Sequence, residues 1–145
     1  MSALKLLRNF LDEYHIRYET KRSRQQPNNG MKTVSTYLIH MDSIYAICVI
    51  NPSEKLDLAL IKATFGAHSL KLMSELERQT MFPTSDEYAV LVLKNNGAVR
   101  IVCSRKVLNQ KNICLSTGED DFIQLATDDF IRLTRPTVGS ISIEV

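Results

Sequence analysis

The sequence predicts a single α+β domain built on a mixed β-sheet, and three observations predict it. The chain has 145 residues, 44% of them hydrophobic, enough for one core of ordinary size and too few for two, so residues 1–145 read as one domain. Apolar and polar residues alternate in paired runs, Val34 to Met41 with Ile44 to Ile50 and Tyr88 to Leu93 with Ala98 to Val102, which is the pattern of β-hairpins. Segments with helical spacing and capping residues lie between these runs, so helices are interspersed among the strands.

In chain order, Leu4, Leu7, Leu11 and Tyr14 recur at helical spacing with Ser2 as the cap, predicting a helix over 2–15. Ile16 to Tyr18 alternates like a short strand, and Lys21 to Gly30 is polar, basic and rich in turn formers, hence an exposed loop. The first hairpin turns at Asp42-Ser43, and Asn51-Pro52 ends its second strand. Asp57 caps a helix over 58–65, and Gly66 suits the left-handed position past its end. A strand near 68–72 follows, and then Ser74 and Glu77 form a capping box for a helix that stops before Pro83. The Asn96-Gly97 step tightens the second hairpin. Ile113 to Ser116 and Phe122 to Leu125 are further strands, and Thr127 to Asp129 cap a last helix ending near Leu133. Gly139 to Val145 alternates, and reads either as a terminal strand or as the approach to a linker in a longer protein.

A formal net charge of +2, from 18 basic and 16 acidic residues, is too near balance to argue for nucleic acid or membrane, so any polyanion site must be local. Cys48, Cys103 and Cys114 contain no C-x-x-C pair, and their odd number argues against a disulfide framework. Cys48 and Cys103 lie in core-strand patterns and read as small buried apolar residues, with a catalytic thiol the poorer choice. His15, His40 and His68 have no metal-ligand spacing, and no metal or cofactor is implied. The N-terminus lacks the apolar region of a signal peptide, and no apolar run approaches ~18 residues; the expected address is the cytoplasm and no membrane partner is expected. The apolar run Tyr88 to Leu93 leaves both a monomer and a homodimer paired through a sheet edge open. Walker, G-x-G-x-x-G, H-E-x-x-H and G-x-S-x-G motifs are absent.

Several strings do occur in a recognisable order: Tyr45-Ala-Ile-Cys-Val-Ile50, Leu56-Asp-Leu58 opening a helix that ends at Phe65-Gly66, Met81-Phe-Pro83, and Asp129-Phe-Ile-Arg-Leu133 with Pro136. From about Tyr14 to Val138 the chain resembles the YbaK-type domain, also called the prolyl-tRNA synthetase associated domain. Members of that family act as aminoacyl-tRNA deacylases, hydrolysing the ester of mischarged tRNA. The resemblance implies a partly barrel-like sheet with helices around it, tRNA or aminoacyl-tRNA as a partner, and no cofactor.

It also implies a lysine followed by Thr or Ser at the start of the first hairpin strand, whose ammonium would hold the ester and stabilise the developing oxyanion. A gap-free alignment on Tyr45 puts Ser35-Thr36 on that pair, and the lysine is gone. A three-residue insertion puts Lys32-Thr33 there instead, but adds residues to a hairpin whose register is set by side-chain alternation; the gap-free alignment is preferred. Thr36, Gly118, Asp120 and Asp121 are the substrate-pocket candidates, and Lys21, Arg22 and Arg24 the candidates for tRNA phosphates. After Phe82-Pro83 the family's Gly- and Pro-containing stretch is replaced by Thr84 to Leu93, with neither residue, and the stretch between Tyr18 and the hairpin is short for the family's helix. These departures predict a deacylase fold degenerate in catalysis. The alternative is a non-catalytic tRNA- or amino-acid-binding or regulatory domain, for instance within a signalling protein.

Overall fold

The structure, a computed structural model, describes residues 3–22, 33–81, 99–116 and 121–144. Lys32, Arg24, Gly118, Asp120, the strand expected at Tyr88 to Leu93 and the segment after Phe82-Pro83 lie outside these residues; Arg22 and Asp121 are placed by their backbones. The described elements are α1 (Ala3–Glu13), β1 (Tyr18–Arg22), β2 (Ser35–Met41), β3 (Ile44–Ile50), β4 (Glu54–Leu56), α2 (Leu58–Phe65), β5 (Leu70–Leu72), α3 (Glu75–Met81), β6 (Arg100–Cys103), α4 (Arg105–Leu108), β7 (Asn112–Ser116), β8 (Asp121–Ala126), α5 (Thr127–Thr134), β9 (Thr137–Val138) and β10 (Ser142–Glu144). The fold is mixed α+β, and no pairing among the described strands closes a barrel.

The central sheet has the order β5-β2-β3-β6-β9. β2 runs antiparallel to β3 and β5, whereas β3, β6 and β9 are parallel. At the β2–β3 turn Asp42 takes a left-handed backbone (φ 53), which its short polar side chain tolerates. Its carboxylate accepts from the amides of Ser69 (2.9 Å) and His68 (3.0 Å), tying the hairpin tip to the segment that enters β5. The Ser69 amide foremost, with that of His68, holds this carboxyl below its ordinary value despite some desolvation.

Both faces of the central sheet are apolar, as a sheet covered on both sides requires. On one face Leu38, Ile47, Val49, Ile101 and Cys103 pack against a second sheet, β1-β8-β7, through Ile113, Leu115, Ile123 and Leu125. Leu7 and Leu11 of α1, Val107 of α4 and Phe130 of α5 complete this core. On the other face Ile39, Ala46, Cys48, Ile50 and Val102 pack under Ile61 and Phe65 of α2 and against Ile141. The C-terminal β10 pairs antiparallel with β4.

The local signals in the sequence act as capping chemistry says they should. Asp57 accepts from the Leu60 amide at 3.0 Å, and Gly66 takes the left-handed C-terminal position (φ 62), which costs a glycine little. Ser74 and Glu77 form a reciprocal box, each side chain accepting from the other's amide at 3.2 Å. Asp57→Ala is expected to lower stability by about 0.5–2 kcal/mol, read as a lower denaturation midpoint with an unchanged slope.

Two expectations are corrected, and three short elements are added. Lys21 and Arg22 belong to β1 rather than to a loop, because β8 offers them a ladder from Tyr18↔Leu125 to Arg22↔Asp121; β1 is at the edge among the described strands, and its polar, basic sequence imitates loop composition. Thr127 does not cap α5 with its side chain: it is the first helical residue, and its hydroxyl donates to the Gln110 carbonyl. The short elements are ones that no period announces: β4, α4 and β9 span three, four and two residues, little more than one repeat of a strand or helical pattern.

Candidate functional site

The start of β2 lies beside the β1-β8-β7 sheet near the end where β7 finishes and β8 begins. Val34, just before β2, donates its amide to the Cys114 carbonyl of β7 at 2.9 Å, which joins the two sheets there. At that end β1 finishes with Arg22 opposite Asp121, and β7 finishes with Ser116 opposite Phe122. In β2, Ser35 lies opposite Ile50 and Thr36 opposite Val49. The backbone thus brings Ser35, Thr36, Lys21, Arg22 and Asp121 to one neighbourhood, with the segments carrying Lys32 and Gly118-Asp120 joined to it in sequence.

Alternation separates Ser35 from Thr36. Thr36 shares its face with Val34 and Leu38, which enter the core between the two sheets, and its cross-strand partner Val49 is in that core. Ser35 shares its face with Tyr37 and Ile39, on the side covered by α2. The β2 row that faces the second sheet therefore reads Val34, Thr36, Leu38, His40, with no lysine or arginine. Of the two aligned positions, 36 and not 35 faces the space between the sheets.

Lys21 is already engaged. Its ammonium lies 3.6 Å from the Glu19 carboxylate and 3.4 Å from the Gln124 side-chain oxygen. Burial pushes the nearby Cys114 thiol up, against the opposing pull of the Lys21 charge. Burial also pushes Cys48 and Cys103 up to about 12; a thiol there is almost wholly protonated at neutral pH, and so is inert as a nucleophile. His40 stacks on Tyr45 with ring centroids 4.5 Å apart. Among the described residues no group of three His, Cys, Asp or Glu is placed to hold a metal, and no helix is long and apolar enough to cross a membrane.

Two polar features escaped the sequence reading. Arg78 of α3 is 2% exposed and its Nε donates to Glu75 at 2.9 Å; this bond above all holds the Glu75 carboxyl below its ordinary value. Glu54 accepts from the hydroxyls of Ser104 and Ser142, both at 2.6 Å, and from the Asn51 amide at 2.9 Å. Burial works against its charge, but these three bonds together outweigh it and hold the carboxyl below its ordinary value. Residues 54, 104 and 142 share no local pattern, so no spacing could have announced the cluster.

No protein-family model matches the chain, and no curated protein matches it. Solved structures do. A protein from Marinobacter aquaeolei VT8 assigned to signal transduction matches with a TM-score of 0.71 at 20% identity over 88% of this chain, which spans only 28% of that one. A protein assigned as a trans-editing enzyme for prolyl tRNA synthetase matches with a TM-score of 0.72 at 10% identity, over 99% of this chain and 98% of that one. A scaffold protein used for computational epitope grafting matches with a TM-score of 0.69 at 11% identity, over all of this chain and 99% of that one. At these identities the likeness is one of fold: the chain has a fold similar to that of the YbaK-like editing domain.

Proposed function

We propose that this chain is an aminoacyl-tRNA deacylase-type domain that engages the acceptor end of aminoacyl-tRNA and has lost the ability to hydrolyse it. The observation that carries the reading is the β2 row facing the second sheet, which holds Thr36 but no lysine or arginine among its described residues, in a fold similar end to end to an assigned trans-editing enzyme. A row without lysine or arginine cannot itself supply the ammonium that would stabilise a developing oxyanion, and such groups commonly carry two to three orders of magnitude in rate. Arg22 and Arg24 are the residues proposed to meet tRNA phosphates, Lys21 being paired; Thr36, Gly118, Asp120 and Asp121 are proposed to surround the aminoacyl group. A cytoplasmic address goes with this reading.

Filter retention of aminoacylated and uncharged tRNA across a salt series tests it. The expected result is preference for the aminoacylated form, with a shallow salt slope corresponding to about one to three phosphate contacts. Equal retention of both forms, or none at low salt, would sink the proposal. A second reading, a regulatory domain within a larger signalling protein, is favoured by the likeness to the Marinobacter protein, in which the matched region is a minor part.

A further inference from the structure

The carboxyl ends of three parallel strands come together at one end of the central sheet: β3 stops at Ile50, β6 at Cys103 and β9 at Val138. Chain leaving such ends forms the crevice in which sheets of this kind hold ligands. Here a cleft of about 520 Å³ opens among the departing segments, a volume that suits a small molecule. It lies toward the α2 side of the sheet, since Leu60 of α2 and Ile141 of the second core line it. It is thus distinct from the space between the sheets that Thr36 faces.

Its chemistry is divided. Ser104 and Ser142 direct their hydroxyl protons to Glu54, so these two oxygens keep only lone pairs to offer, and the floor both accepts hydrogen bonds and carries negative charge. α4 and its end bring Arg105 and Asn109 to the same cleft; Arg105 has no ion-pair partner among the described residues. At the rim Lys106 and Glu144 neutralise one another at 2.7 Å. A phosphate would be repelled by Glu54, and a bare cation by Arg105. A compact zwitterion satisfies both signs, and Leu60 gives it an apolar contact.

We propose that this cleft binds a free α-amino acid, its ammonium on the Glu54–Ser104–Ser142 floor and its carboxylate on Arg105. The site does not depend on the tRNA reading above.

Calorimetric titration of the whole chain with the common amino acids at millimolar concentration tests the proposal, with N-acetyl and amide derivatives of any binder beside it. The expected result is that at least one amino acid binds, both derivatives fail, and Arg105→Ala weakens binding roughly tenfold or more without changing the melting temperature. Ser142→Ala, which removes a floor acceptor while Glu54 keeps its other two donors, is expected to weaken binding as well. Absence of binding by every amino acid would overturn the proposal. So would binding that survives Arg105→Ala but is lost in Thr36→Lys, which would place the ligand between the sheets.

Discussion

Phe130→Ala is expected to lower the stability of the domain by about 3–5 kcal/mol, measured as a fall in the urea midpoint at unchanged slope. Phe130 is fully buried, and it is the residue by which α5 enters the core between the two sheets. Truncation at the ring removes transfer energy and leaves a cavity where α1, the second sheet and the central sheet already fill the surrounding space, so little can collapse into it. A loss below about 1 kcal/mol would mean that α5 is not docked as described. The neighbouring exposed Ile131, changed to alanine, is the control and is expected to cost much less.

Glu54→Ala is expected to cost about 2–4 kcal/mol, because it strips three donors of their acceptor at once. Ser104 is only 3% exposed, so its hydroxyl recovers little of the lost bond from water in the cleft, and a buried unsatisfied donor is penalised more than the mean hydrogen bond contributes. The bonds also join turn 51–54, the end of β6 and the C-terminal strand, segments far apart in sequence. The folded Glu54 carboxyl sits below its unfolded value. Its contribution is therefore fully present above the unfolded value near ~4.3 and is lost as pH falls through the lower, folded one. Glu54→Gln should accordingly be less stable than wild type at neutral pH, and the gap should narrow on the acid side. A gap independent of pH would show that charge plays no part.

What the sequence disclosed follows the range of each physical signal. The β2–β3 hairpin, the Asp57 and Gly66 caps of α2 and the Ser74–Glu77 box are local: each rests on residues within a turn of one another, and each can be read before any tertiary contact is known. β1 is only partly legible because its sequence past Tyr18 is polar, and what makes Lys21 and Arg22 a strand is the β8 ladder, an interaction across about a hundred residues. That Ser35 and Thr36 point to opposite faces could have been read from alternation, but with Val34 and Leu38 on one side and Tyr37 and Ile39 on the other the sequence does not say which face the second sheet covers. The Glu54 cluster was wholly illegible, being assembled from three loops and strand ends.

The central claim is the loss of turnover, and the most direct measurement is the rate of ester hydrolysis for a panel of mischarged aminoacyl-tRNAs at low salt, with wild type beside Lys32→Ala and Thr36→Lys. The account predicts no hydrolysis above the uncatalysed rate for wild type, no change in Lys32→Ala, and any gain confined to Thr36→Lys, where the new ammonium faces the space between the sheets. Hydrolysis by wild type that disappears in Lys32→Ala would contradict it, restore the family lysine at 32 and make the chain an editing enzyme.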